Sequence, residues 1–184
     1  MWPTNVMSQP FSLLTLLVTS LLVTSCGFKL RGDYSLPSGI EELHVLSATK
    51  NAPLQRTLTS QLKGFDIQIV TDITNKHIPT EQIDAQIFIQ SENLERRLLS
   101  LFSTGQVAEY ELVYTINYYI QFPNEEAIPI EFDVTREYQD DPDAVLAKSR
   151  ELDLVYSEMR QQAADRIIRQ LSSSYNVWLQ TKGY

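Results

Sequence analysis

The chain is poor in the residues that staple or catalyse: one cysteine, two histidines and six glycines in 184 residues. A single cysteine excludes an internal disulfide, so packing must hold the fold together. His44 and His77 lie far apart, with no second cysteine and no HExxH helix beside them, and so lack the partners of a metal set. No GxSxG, Walker or dinucleotide fingerprint occurs. The acidic pairs Glu125-Glu126 and Asp140-Asp141 fall at turn positions, where carboxylates cap and meet solvent more often than they act as an acid–base dyad. These absences argue against an enzyme, a bound metal and a cofactor. A basic stripe with stacking aromatics is also missing: 23 Asp plus Glu outweigh 15 Lys plus Arg, for a net charge of -8, which argues against nucleic acid as a partner.

Long apolar runs are confined to the N-terminus. Phe11 to Val23 is interrupted only by Ser and Thr and is shorter than the roughly 20 residues of a membrane-spanning helix, which suits a secretory h-region. Lys and Arg are absent from residues 1–25, so the α-amino group alone supplies positive charge there. Val23-Thr24-Ser25-Cys26 places an aliphatic residue three positions before the cysteine and small residues between, the pattern of a lipoprotein signal peptidase site. Residues 1–25 are therefore expected to be a signal peptide. Cys26 is expected to become the first mature residue, carrying S-diacylglycerol and an N-acyl chain. Residues 26–39, with Gly27, Gly32, Pro37 and Gly39, read as a lipidated tether.

The body reads as a single α+β domain over residues 40–171. Glu41 to Ser47 alternates loosely as a first strand; Leu54, Leu58 and Leu62 recur at helical spacing over 52–62, with Gly64 as a stop; Phe65 to Val70 is a short strand or edge segment. Ile83, Ala85, Ile87 and Ile89 share one face of a half-buried strand, and Leu94 to Phe102 continues it less regularly, apolar on both faces. The clearest alternation runs from Tyr110 to Phe122 through Leu112, Tyr114, Ile116, Tyr118 and Ile120. Ile128, Ile130, Phe132 and Val134 form another strand, on which Pro129 requires an edge or a solvent-facing N–H. Asp141-Pro142 reads as the N-cap and first position of a helix extending to about Leu171, with a stripe of Leu152, Val155, Met159, Ala163, Ile167 and Leu171. Ser172 to Ser174 is expected to end it, leaving residues 172–184 as a tail. The expected architecture is a two-layer sandwich of two helices on a mostly antiparallel four-stranded sheet.

Arg96, Arg97, Arg136, Lys148 and Arg150 lie near strand ends or in the first turns of the second helix, where they could converge at one end of the sandwich and meet phosphate oxygens. Tyr119, on the polar register, is a candidate exposed contact. Three blocks then add up to a family. Cys26-Gly27-Phe28-Lys29-Leu30-Arg31-Gly32, Gly105-Gln106-Val107-Ala108-Glu109-Tyr110, and Asp141-Pro142 with Leu146-Ala147-Lys148 before a long helix resemble the LPS-assembly lipoprotein family LptE. The likeness runs in order from Cys26 to about Leu171.

The resemblance implies a lipid-anchored protein of the cell outer membrane. It would sit as a plug in the β-barrel of LptD, help that barrel assemble, and bind lipopolysaccharide on its way to the outer leaflet. Lys148 matches the family's lysine for lipopolysaccharide. The arginine that some members carry just before Gly-Gln is absent, since Ser103 and Thr104 follow Phe102. Arg97, Arg136 and Arg150 are therefore kept as candidates beside Lys148. The competing reading is a free periplasm-facing lipoprotein carrying a small hydrophobic ligand between its layers, which needs a cavity there; a plug needs a filled core. A Cys26→Ala protein is expected to incorporate no radiolabelled fatty acid in cells, and label on that variant would refute the lipidation site.

Overall fold

The central sheet takes its shape from one long apolar register. A computed structural model describes residues 36–37, 39–71, 83–141 and 143–183. The expectations for the leader, Cys26, most of the tether, His77 and Pro142 lie outside the described residues. The elements run β1 (Glu42–Ser47), α1 (Pro53–Leu62), β2 (Gln68–Val70), β3 (Ala85–Leu101), β4 (Val107–Gln121), β5 (Ile128–Gln139) and α2 (Val145–Lys182). The sheet order is β2-β1-β3-β4-β5. An α+β fold with two helices is as expected, but the sheet has five strands of mixed orientation rather than four mostly antiparallel ones. β1 pairs in parallel with both β2 and β3, while β3, β4 and β5 form an antiparallel meander. The reason is the crossover: α1 carries the chain back so that β2 re-enters beside β1 in the same direction, which a hairpin cannot do.

β3 holds the feature that the alternation concealed. Ile89 pairs with Tyr118 and Ser91 with Asn117, so Gln90 is an extra residue opposite one step of β4. A bulge of this kind swaps the side chains that follow it to the other face, here as far as Leu98, where the register shifts again. Before it, Ala85, Ile87 and Ile89 point into the core; after it, Leu94, Arg96 and Leu98 pair with Tyr114, Leu112 and Tyr110 on the helix-facing register. Arg97 goes to the opposite, open face, where it meets Glu95 at 3.6 Å and Glu111 at 3.7 Å.

The core lies between the sheet and the helices. Leu112, Tyr114, Ile116, Tyr118, Ile120 and Phe122 are buried beneath Met159, Ala163, Ala164, Ile167, Ile168 and Leu171 of α2, with Leu54, Leu58 and Leu62 of α1 beside them. Small residues at 163 and 164 let α2 approach closely. Glu92 accepts hydrogen bonds from the Leu54 N–H at 3.3 Å and from the Tyr114 hydroxyl, so a β3 side chain satisfies a donor at the start of α1. Burial, with this carboxylate next to it, pushes the Tyr114 phenol well above its ordinary range, and burial does the same to Tyr118. Pro129 lies on edge strand β5, as its missing N–H requires.

Both ends of α2 differ from expectation. It begins at Val145 after Ala144, with no side-chain cap, because Asp141 accepts from the Asp143 N–H at 3.0 Å and so closes a local turn instead. It continues past Ser172 to Ser174 as far as Lys182. Three serines weaken a helix by only tenths of a kcal/mol each, and packing overrides them. Tyr175 is buried against Phe122, Trp178 stacks on Phe122 at 5.4 Å, and Lys182 pairs with Glu125 at 2.8 Å. Lys182 holds the Glu125 carboxyl below its usual range. Tyr175→Ala is expected to cost about 3–4 kcal/mol of unfolding free energy, and Ser173→Ala at an exposed site about 0.5 or less. Urea titration of both would check that the last turns of α2 are part of the core.

Candidate functional site

At the end of the sandwich where β3 turns into β4, basic and apolar side chains meet. A cleft of about 260 Å³ is lined by Arg96, Tyr110, Tyr138, Asp140, Asp141, Val145, Lys148, Ser149 and Leu152. The elements place each group for a local reason. Tyr138 stands on the buried register of β5 and donates its hydroxyl to the Lys148 carbonyl at 2.7 Å, fastening the first turn of α2 to the sheet. The Lys148 ammonium lies 5.2 Å from the Tyr138 ring centre and 2.9 Å from a Glu151 carboxylate oxygen, with its side chain 21% exposed. The Glu151 hydrogen bond raises the Lys148 pKa above its ordinary value, so the ammonium is charged throughout the neutral range. Burial raises the Tyr138 phenol, whose electrostatic neighbours include Lys148, Glu151, Asp140 and Arg96. Arg96 Nε donates to the Tyr156 hydroxyl oxygen at 2.9 Å.

Exposed apolar groups stand on the adjoining hairpin and at the start of α2. Leu98, Leu99, Leu101 and Phe102, on the β3–β4 hairpin, are about half exposed, and Val145 and Leu146 at the start of α2 are 66% and 82% exposed. The turn itself is tight, with the Gly105 N–H bonded to the Phe102 carbonyl at 2.9 Å and Gly105 in the left-handed region at φ 84. Apolar side chains gathered at one end of a molecule mark a docking or ligand surface more often than scattered ones do.

Of the residues expected to bind, Lys148 lies in this cleft. Arg136 shares the helix-facing side of the sheet but donates to Gln162 at 2.7 Å, further along α2, and is not among the cleft residues. Arg97 is on the other face of the sheet. Arg150 is exposed two residues beyond Lys148, about 200° around the helix. The cation that accompanies Lys148 is Arg96, which the alternation alone did not separate from Arg97; the signal that separates them is the bulge at Gln90. Tyr119 stacks on Phe88 at 5.0 Å on the open face of the sheet. Among the described residues no cluster of three or more His, Cys, Asp or Glu is placed to hold a metal, and no helix is long and apolar enough to cross a membrane.

The sequence model of the LptE family, described as lipopolysaccharide-assembly, matches residues 40–171. A protein of Pectobacterium atrosepticum called LPS-assembly lipoprotein LptE is 36% identical over 151 residues, covering 82% of this chain and 79% of that protein. A protein of the same name from Yersinia pestis is 36% identical over 161 residues, covering 86% and 75%. Among solved structures, the rare lipoprotein B of Shewanella oneidensis superposes with a TM-score of 0.63 at 36% identity, covering 76% of this chain and 99% of that one. An uncharacterized lipoprotein B of Nitrosomonas europaea gives 0.64 at 28% identity, covering 84% and 96%.

The face assignment is directly checkable. Arg96→Ala is expected to lose about 1–2 kcal/mol of stability with its hydrogen bond to Tyr156. Arg97→Ala, on exposed ion pairs, is expected to stay within about 0.5 kcal/mol. Equal losses in denaturant titration would contradict the register.

Proposed function

Because this chain belongs to LptE, a lipopolysaccharide-assembly lipoprotein family without enzymatic activity, we propose that it plugs the LptD β-barrel, helps that barrel assemble, and binds lipopolysaccharide on its way into the outer leaflet. In this reading it is held at the outer membrane by lipid on Cys26. A single myristoyl chain gives only marginal binding, at about 0.8 kcal/mol per buried CH₂, so several acyl chains on one cysteine anchor durably.

The observation that carries the ligand reading is the pairing of charge and apolar surface at one end of the sandwich. Lys148 and Arg96 suit the phosphates of an acylated, phosphorylated saccharide, while Leu98, Leu99, Leu101, Phe102 and Leu146 offer apolar surface to its chains or to a barrel wall. Arg97, on the other face, is set aside as a partner of Lys148. Arg136 and Arg150 are left as outer contacts.

The filled space between sheet and helices supports a plug over a carrier. Met159, Ala163, Ile167 and Leu171 meet Leu112, Ile116 and Ile120 with essentially no exposure, so the layers hold no room for a ligand at that contact. Affinity purification from detergent-solubilised outer membranes is expected to recover an LptD-type barrel in about 1:1 ratio; recovery of the lipoprotein alone would overturn the plug. Lys148→Glu is expected to weaken capture of lipopolysaccharide about tenfold or more, the scale of losing one charge-assisted hydrogen bond, in a domain that still folds, its midpoint lowered only by the lost Glu151 pair. Unchanged capture would remove Lys148 from the site.

A further inference from the structure

Away from the cleft, between the β1–α1 loop and one side of α1, lies a groove of about 650 Å³ with a different chemistry. Three cations line it: Lys50 on the loop, and Arg56 and Lys63 on α1. No carboxylate is among its described lining residues, and Ala48 is the sole apolar one there. In a chain of net charge -8 this is an unusual concentration of positive charge. Elsewhere the described cations are largely committed. Lys148, Lys182 and Arg97 have carboxylate partners, Arg96 and Arg136 hydrogen-bond to Tyr156 and Gln162, and Arg166 lies over the Phe132 ring. Lys50, Arg56 and Lys63 have no ion-pair, hydrogen-bond or ring partner among the described residues.

The walls around these charges are ordered. The Gln55 amide donates to the Val45 carbonyl at 2.8 Å and to the Thr71 carbonyl at 3.1 Å, tying α1 to the ends of β1 and β2. Asn51 is held in the left-handed region at φ 58, and the Ala52 N–H returns to the Thr49 carbonyl at 3.3 Å, which fixes the loop bearing Lys50. Arg56 and Lys63 are seven residues apart with helical backbone between, so they project from the same side about 10 Å apart along the axis. The side chains of Thr49 and Ser60 add hydroxyl donors to the lining.

We propose that this groove is a second anion site, taking a phosphorylated saccharide. Guanidinium and ammonium groups borne on positions about 10 Å apart along the helix can meet two phosphates, or a phosphate and a sugar carboxylate, while the hydroxyls and amides meet sugar hydroxyls. The groove carries no large apolar side chain, unlike the Lys148 cleft with its Val145 and Leu152, so the two sites offer different chemistry. Phosphate recognition follows from the groove alone; assigning the saccharide to lipopolysaccharide rests on the function proposed above.

The test uses the full lipidated chain in detergent and titration calorimetry. The ligands are deacylated lipopolysaccharide with its phosphates, the same oligosaccharide after phosphatase treatment, glucosamine phosphate and inorganic phosphate. The native chain is expected to bind the phosphorylated oligosaccharide at least tenfold more tightly than the phosphatase-treated one. Lys50→Gln, Arg56→Gln and Lys63→Gln together are expected to cut that difference severalfold, the remainder belonging to the Lys148 cleft, at an unchanged unfolding midpoint. Lys63→Arg, which keeps the charge, serves as the control that retains it. Equal affinity of the triple variant and the native chain for the phosphorylated oligosaccharide would overturn the site. If glucosamine phosphate or inorganic phosphate binds as tightly as the oligosaccharide, the lipopolysaccharide assignment is overturned and soluble phosphates take its place. Capture of intact lipopolysaccharide by the Lys148→Glu protein is scored separately, so either site can fail while the other stands.

Discussion

Burial of β4 under α2 is the contact on which the other features depend. The even-numbered side chains from Leu112 to Phe122 form an unbroken apolar row, and a 38-residue helix covers it with Met159, Ala163, Ile167, Leu171 and Tyr175. Because that row sets the register of both neighbouring strands, it also decides which charged side chains flank it. Arg96 and Arg136 are both paired with Leu112, one on each side, and so face the helix. Arg97 pairs with Glu111 and cannot.

The same register sets where the charges of this acidic chain stand. Glu111, Glu131, Asp133 and Glu137 occupy the alternate positions of β4 and β5 and are carried to the open face of the sheet. Lys148 and Arg96 lie on the helix side, at the hairpin end. Sheet geometry thus turns these four carboxylates away from Lys148 and Arg96, and over distances beyond about 8–10 Å salt screens what field remains. The hairpin beyond the cleft keeps its leucines and Phe102 in solvent because β3 and β4 run on to their turn at Gly105 with apolar side chains on both faces.

Much of the fold was legible because its signals were local. The β4 alternation, the leucine spacing of α1 and the Met159 to Leu171 stripe each report a periodicity that burial then confirmed. The strand count and orientation were not legible, since a three-residue edge strand has almost no pattern and its parallel pairing is set by a crossover. The end of α2 was misread at Ser172 because helix propensity is weak beside the burial of Tyr175 and the stacking of Trp178 on Phe122. Asp141 looked like a helix cap and instead closes a turn, a choice between two local hydrogen bonds that sequence leaves open.

The site shows the division most sharply. The sequence by itself determined the family, through short blocks at matching order and spacing, and singled out Lys148 within Leu-Ala-Lys. It determined the absence of any disulfide framework and the acidic balance, because both follow from composition. Only the tertiary structure decided that Arg96 rather than Arg97 accompanies Lys148, since a single extra residue at Gln90 reverses the facing of β3 from Glu92 to Leu98. Only the tertiary structure brought Lys50 beside Arg56 and Lys63, because a loop and a helix face share a groove only once α1 has docked on β1.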